Sequence, residues 1–134
     1  MFKDHVEVES TAPLSTRRIK RSPLRDVAAM IRSFHYAAHT ALLGQHSKGA
    51  IAASDMTRAG LWADYWQLWV SSSFLRSYLK AAAGEAFLPR EPDELENLLS
   101  VFMLEKALLE LEYELTYRPE WVGLPLAGIL RVLG

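Results

Sequence analysis

The chain has 134 residues, of which 50% are hydrophobic, so it can bury a core and is one domain or part of one. A net charge of −1 excludes a general attraction to nucleic acid, and the absence of cysteine excludes disulfides, thiol catalysis and cysteine-ligated metals. No stretch approaches the roughly 18 uninterrupted apolar residues of a membrane span, and residues 1–10 lack the apolar centre of a signal peptide. We therefore expect a cytoplasmic protein with neither nucleic-acid nor membrane partners.

The first 21 residues show no helical pattern and are expected to form an extended segment. Phe2, Val6 and Val8 suit a short strand. The basic run at 17–25 is typical of a solvated approach to a helix, with phosphate contact as the alternative. The chain is thus divided into this segment, residues 1–21, and a helical region, residues 22–134.

The first helix is predicted over residues 23–43. Ser22 is a good N-cap, and Pro23 suits the first helical position because its missing N–H would have no partner there. Gly44 is expected to close the helix, since glycine adopts the left-handed conformation that ends many helices.

The second helix is predicted over residues 52–83, with Ser54 or Asp55 as the cap of a slightly later start and Gly84 at its end. Gly60 lies inside it and indicates a kink or a close packing contact. Its centre is rich in large apolar side chains, namely Leu61, Trp62, Tyr65, Trp66, Leu68, Trp69, Phe74, Leu75 and Tyr78. One buried stripe cannot hold so much aromatic surface. Either these side chains pack on two sides, or one side serves another purpose.

The third helix is predicted over residues 93–117. Pro92 lies near its start, and Pro119 ends it because a residue before proline disfavours helical geometry. A short fourth helix is predicted over residues 124–132. Strand patterns are weak after residue 14, so the expected fold class is all-α, with three long helices and one short helix.

The third helix has an unusual face. At about 100° per residue, Lys106, Leu109 and Tyr113 fall on one stripe, with Glu114 beside them. Lysine can donate hydrogen bonds to sugar hydroxyls, and a tyrosine ring can pack on the apolar face of a pyranose. The alternative interpretation is an ordinary amphipathic helix with Glu110, Glu112 and Glu114 solvated.

Two long segments resemble one protein family. Residues 104–121 read LEKALLELEYELTYRPEW. This is similar to the closing segment of bacterial maltokinases, alone or fused to a trehalose synthase of the α-amylase family, which typically reads L-E-K-A-x-Y-E-x-x-Y-E-x-x-N-R-P-x-W. Residues 17–38 read RRIKRSPLRDVAAMIRSFHYAA and resemble R-R-x-K-x-S-P-L-R-D-V-A-G-M-x-R-S-F-x-Y-A-A of the same family. With the motifs at 87–89 and 121–126, the similarity runs from about residue 14 to the end.

The resemblance implies the C-terminal helical subdomain of a protein-kinase-like fold, related to aminoglycoside phosphotransferases. The intact enzyme would use ATP and Mg²⁺ to convert maltose to maltose 1-phosphate, in trehalose and α-glucan metabolism. The catalytic-loop pattern H-G-D-x-H-x-x-Q does not occur here, and the metal-strand pattern I-D-F-E-G-E-P aligns with residues 2–10 only in degenerate form. His5, or Asp4 after a one-residue slip, stands at its metal-binding aspartate. This chain alone is therefore expected to hold no cofactor and to phosphorylate nothing.

The resemblance also assigns roles to individual residues. Lys106, Tyr113 and Glu114 match positions that contact maltose, whereas Leu109 stands where the family usually has a tyrosine. Three further matching residues are expected to be structural: Asp26, Arg118 and Trp121. The implied partners are maltose or a related α-glucoside, and either the missing kinase lobe or a second copy of the chain.

Two other interpretations start from the residues. His35 and His39 are spaced i, i+4 and could ligate a metal from one helix face, although no third ligand is near in sequence. A non-catalytic helical oligomerisation domain is the alternative function, because apolar surface left exposed on a kinase part drives association.

Overall fold

A computed structural model describes residues 21–134, and the prediction of an all-α fold is confirmed there. The four helices are α1, Leu24–Ser47; α2, Met56–Ala81; α3, Pro92–Tyr117; and α4, Gly123–Leu133. Two 3-10 turns, Ala53–Asp55 and Pro119–Trp121, precede α2 and α4. Apart from Arg21, the expected N-terminal segment and its strand lie outside the described residues. Within residues 21–134, no helix is both long enough and apolar enough to cross a membrane.

Helix α1 begins at Leu24, one residue later than predicted, and it also ends later. The Ser22 hydroxyl accepts a hydrogen bond from the Leu24 N–H at 3.3 Å, but Pro23 occupies the N-cap position, one residue after the predicted cap. The expected end at Gly44 is wrong, because the helix continues to Ser47 and closes at Gly49, where φ is +72°. The N–H groups of Gly49 and Ala50 bond to the carbonyls of His46 and Gln45, the paired bonds of a Schellman motif.

Helix α2 is shorter at both ends than predicted, since residues 53–55 form a separate 3-10 turn and the helix stops at Ala81. Gly84, with φ at +86°, lies in the turn that follows. A Cβ added to Gly60 would meet no atom within 4 Å, so the expectation of close packing there is wrong.

Helix α3 matches its prediction to within one residue. Pro92 occupies the start, and the helix ends at Tyr117 because Arg118, before Pro119, leaves helical geometry with φ −145° and ψ 67°. Helix α4 then turns back onto α3 and also contacts α1.

The hydrophobic core forms where α1 packs against α2 and α3. Leu24, Val27 and Ile31 of α1 are its buried centre. Partly buried side chains of the other elements surround them: Phe74, Leu75, Tyr78, Leu88, Leu95, Leu98, Leu99, Phe102 and Met103. This core occupies the N-terminal half of α1 and α3. In the C-terminal half of α3 the buried residues are Ala107 and two carboxylates, Glu110 and Glu114.

The aromatic centre of α2 turns mostly to solvent. Leu61, Trp62, Tyr65, Leu68 and Trp69 are each 61–68% exposed, and we call these five residues the α2 face. The buried residues of α2 are instead polar, Gln67 and Ser71, joined by a hydrogen bond of 3.1 Å. Among the described residues, the α2 face is therefore largely unpacked, so packing of these side chains on two sides is not what residues 21–134 show.

Candidate functional site

The C-terminal half of α3 holds a buried carboxylate. Glu114 is 1% exposed, and both its oxygens accept hydrogen bonds. Arg118, one turn later, donates from Nε at 2.9 Å and from Nη2 at 2.7 Å, and the Tyr36 hydroxyl of α1 donates at 3.1 Å. A buried carboxylate with a two-pronged guanidinium partner has its charge compensated, so this arrangement fixes the position of Arg118.

Arg118 is the centre of a stack of rings. Its guanidinium carbon lies 5.3 Å from the ring centre of Tyr113 and 5.0 Å from that of Trp121. Tyr117 extends the row, with its ring 4.9 Å from that of Tyr113. We call these four residues the Arg118 stack. Arginine stacks well on aromatic faces because its planar cation is weakly hydrated, so the stack presents flat apolar surface beside hydrogen-bond donors.

The predicted sugar residues lie on this part of α3 but differ in accessibility. Tyr113 and Lys106 are partly exposed, and they lie two helical turns apart, a rise of about 10 Å. Leu109, between them, is 53% exposed, so the position of the family tyrosine faces open space. Glu114, in contrast, is buried, and both its carboxylate oxygens already accept hydrogen bonds from Arg118 and Tyr36. It therefore adjoins the stack but has no oxygen exposed to a ligand.

The residues expected to be structural fall into two places. Arg118 and Trp121 join the stack, and Trp121 also packs edge-on against His39 of α1, with ring centres 6.2 Å apart. Asp26 is exposed in the first turn of α1, where a negative charge favours the helix dipole. It lies at the opposite end of α1 from His39, so the structure does not bring it to the stack.

A second buried ion pair lies one turn before Glu114. Arg32 of α1 donates to Glu110 Oε2 from Nε at 2.9 Å and from Nη2 at 2.6 Å. Its Nη1 lies 2.9 Å from Nδ1 of His35. Arg32 and Glu110 are 3% and 5% exposed, so this pair joins α1 to α3 in a site nearly closed to water.

These pairs overturn one interpretation of the sequence. That interpretation placed Glu110, Glu112 and Glu114 in solvent. It is wrong for Glu110 and Glu114, which are buried, and only Glu112 is exposed. Sequence reasoning missed Arg32 and Tyr36 as their partners. The sequence contained one signal that such partners exist. Two carboxylates at positions i and i+4 of a helix repel each other unless nearby cations or hydrogen-bond donors compensate their charges.

Burial shifts the protonation of the groups around Arg32. Burial, together with the nearby charge of Arg32, lowers the pKa of His35 from 6.5 to about 4. Burial also raises the pKa of the Tyr36 hydroxyl above its ordinary range, with the charges of Glu110 and Glu114 acting in the same direction. His35 and Tyr36 are therefore neutral at pH 7, and Tyr36 keeps the proton that it donates to Glu114.

The carboxyl of Glu110 experiences opposing effects. Burial raises its pKa, whereas the hydrogen bonds and the charge of Arg32 act in the opposite direction, as does the charge of Lys106. Lys106, one turn earlier on α3, is thus electrostatically coupled to the buried pair.

The histidine pair on α1 serves other contacts. His35 Nδ1 faces Arg32, and His39 packs on Trp121. Across residues 21–134, no three side chains of His, Asp or Glu are grouped closely enough to hold a metal ion.

A scan against protein-family models finds none that matches this chain.

Proposed function

We propose that this chain is the acceptor-sugar-binding C-terminal part of an ATP-dependent maltokinase, inactive by itself. The two sequence segments that resemble this family support the proposal. The observation that carries it furthest is the Arg118 stack, because aromatic faces beside fixed donors are what a pyranose ring requires. The stack lies at the segment where the resemblance is strongest.

Each residue of the site has a role in this proposal. Tyr113 packs on the apolar face of the sugar, while Lys106 and Arg118 donate to its hydroxyls. Glu114 contributes indirectly, by holding Arg118 through two hydrogen bonds of 2.7 and 2.9 Å. ATP and Mg²⁺ would be bound by the rest of the parent enzyme, which would operate in the cytoplasm where ATP is supplied.

A maltose titration followed by ¹H–¹⁵N NMR tests the proposal. The indole N–H of Trp121, assigned with a Trp121→Phe variant, is expected to shift on addition of maltose. Tyr113→Ala should abolish the shift because it removes the stacking ring. Tyr65→Ala is the matched control, since Tyr65 is an exposed tyrosine on the distant α2.

Three results would contradict sugar binding at the Arg118 stack. The Trp121 signal could stay unmoved up to high millimolar maltose. Sucrose, included as a control disaccharide, could shift it equally. Tyr65→Ala could weaken the response as much as Tyr113→Ala.

The α2 face favours a second candidate function, a non-catalytic oligomerisation domain. Five large apolar side chains on one helix are more than scattered surface residues, and such patches mark interaction sites. In this alternative the α2 faces of two copies pack together. Analytical ultracentrifugation is expected to show a mass that rises with concentration.

Two variants separate the α2 face from other surfaces. Trp69→Glu should return the chain to monomer, whereas Leu126→Glu on α4, another exposed apolar position, should not. A monomer at all concentrations up to about 100 µM would rule out the oligomerisation function without affecting the sugar proposal.

A further inference from the structure

A cavity of about 510 Å³ lies among the four helices. Much of its wall is apolar: α2 contributes Leu75 and Leu79, and the N-terminal half of α3 contributes Leu95, Leu99 and Met103. The volume is within the range of pockets that hold small molecules. None of the four residues of the Arg118 stack lines it, so it is separate from the proposed sugar site.

The polar lining of the cavity has donors at one end and a carboxylate elsewhere. Arg32, His35, Gln67 and Arg131 line it, and so do Ser100 and Glu96. Glu96 lies 14 residues before Glu110, the partner of Arg32, on α3, a rise of roughly 20 Å. Arg131 of α4 donates to Gln67 at 3.0 Å, and the charges of Arg131 and Arg32 both act on His35. Arginine can only donate, so a ligand that meets this group must bring acceptors.

His35 supplies a donor with no partner. Because Arg32 can only donate, Nδ1 of His35 must accept, and the proton of the neutral ring is therefore on Nε2. Within the described residues, no atom accepts a hydrogen bond from Nε2. The described residues hold no buried side-chain nitrogen or oxygen without a hydrogen-bond partner, so this N–H is accessible rather than buried, and an acceptor can reach it from the cavity that His35 lines.

Arg131 can exchange its present ion-pair partner for another anion at a small cost in free energy. It donates to Asp64 at 2.7 Å, but the two side chains are 48% and 56% exposed, and ion pairs this accessible are weak. A ligand carboxylate could replace Asp64 while the bond from Arg131 to Gln67 stays. The carboxylate would then be held by two donors, Arg131 and Nε2 of His35.

From this arrangement we infer that the cavity binds an aliphatic monocarboxylate. The alkyl chain lies against the leucine and methionine side chains, and the carboxylate oxygens accept from His35 and Arg131. A carboxylate suits the site because it has acceptors and no donors, whereas an alcohol of equal length brings one acceptor and no charge. This inference is independent of the sugar proposal and of the α2 face.

Octanoate and 1-octanol are the matched probes, titrated into the full chain and followed by NMR of the His35 ring and the Met103 methyl group. Octanoate is expected to shift both signals and to bind about tenfold more tightly than 1-octanol, the value of one charge-assisted pair. Decanoate should bind up to about tenfold more tightly than octanoate, because two more methylene groups are buried.

Variants locate the ligand. Leu79→Trp should abolish binding by filling the cavity, whereas Leu61→Trp, the same change on the exposed α2 face, should not. Arg131→Gln should remove the preference for octanoate while leaving 1-octanol binding intact, and Arg58→Gln should leave both unchanged. Arg131→Gln still decides the question if Leu79→Trp fails to fold, since Arg131 is half exposed.

The inference is overturned if the NMR signals of the His35 ring do not shift at saturating octanoate. It is equally overturned by equal affinities for octanoate and 1-octanol, which would indicate a merely apolar contact. Equal losses in Leu61→Trp and Leu79→Trp would place the ligand on the α2 face instead.

Discussion

The guanidinium group of Arg32 lies directly against the backbone of Gly128. A Cβ built on Gly128 would lie 2.1 Å from Nη1 of Arg32, far inside van der Waals contact. Because Arg32 is held by Glu110 and His35, it cannot move aside without losing those bonds. A glycine in the middle of α4 therefore allows the buried cation of α1 to approach, and links α4 to the α1–α3 ion pair.

Replacing Gly128 by alanine should destabilise the protein by about 1–3 kcal/mol, the usual cost of overpacking, despite the better helix propensity of alanine. Gly60→Ala is the matched control, because Gly60 is also inside a helix but has no atom near its missing Cβ. That change should stabilise the chain by about 0.5–1 kcal/mol. Urea unfolding measures both, and a Gly128→Ala variant as stable as Gly60→Ala would refute the close contact.

Removing one member of the Arg32–Glu110 pair should be costly. Arg32→Met leaves the Glu110 carboxylate buried without its partner, and a loss of about 3–5 kcal/mol is expected. The double variant Arg32→Met, Glu110→Met should recover much of that loss, because neither charge then remains buried. Urea unfolding of the single and double variants measures this coupling.

The exposed pair Arg58–Asp55 provides the control for these single and double variants. Arg58→Met should change the free energy of unfolding by less than about 1 kcal/mol. A double variant no more stable than Arg32→Met would show that the charges are not coupled as the structure places them.

Stability should fall as the pH decreases from 6.5 to 4, in part because of His35. Burial lowers its pKa from 6.5 to about 4, so in this interval the unfolded chain binds a proton that the folded chain does not. The contribution of neutral His35 to the free energy of unfolding is fully present above pH 6.5 and is lost as the pH falls to 4. Its size is on the order of 3 kcal/mol.

Comparing the free energies of unfolding at pH 7 and pH 4.5 tests this. His35→Gln should show a smaller fall than the parent protein, because glutamine accepts from Arg32 and does not titrate. His46→Gln, at an exposed site, should fall as much as the parent. Equal falls in all three proteins would mean that His35 is not the group responsible.

Leu109→Tyr should increase maltose affinity if the sugar proposal holds. The position is 53% exposed between Lys106 and Tyr113, so a ring fits there and restores the family pattern. A gain of up to about tenfold is expected from one added ring contact. The NMR titration of Trp121 measures it. Leu108→Tyr, at the equally exposed neighbouring residue, should give no gain, and a gain in both or in neither would count against the site.

Much of the helical layout could be predicted from local residues. Ser22, Pro92 and Pro119 each act on the backbone within a few residues. The starts of α1 and α3 lie within one residue of the prediction, and the end of α3 lies at the predicted residue. The predicted end of α1 differs from the observed one because two glycines compete. Gly44 is tolerated inside the helix, and Gly49 adopts the left-handed conformation.

The sequence by itself determined which segments are helical, and it places Tyr113, Arg118 and Trp121 within eight residues of one another. Only the tertiary structure decided which charges are buried. Arg32 and Glu110 are 78 residues apart, and so are Tyr36 and Glu114. Helical hydrogen bonds act over four residues, whereas burial of a charge depends on which helix faces meet, and that depends on the packing of the whole chain.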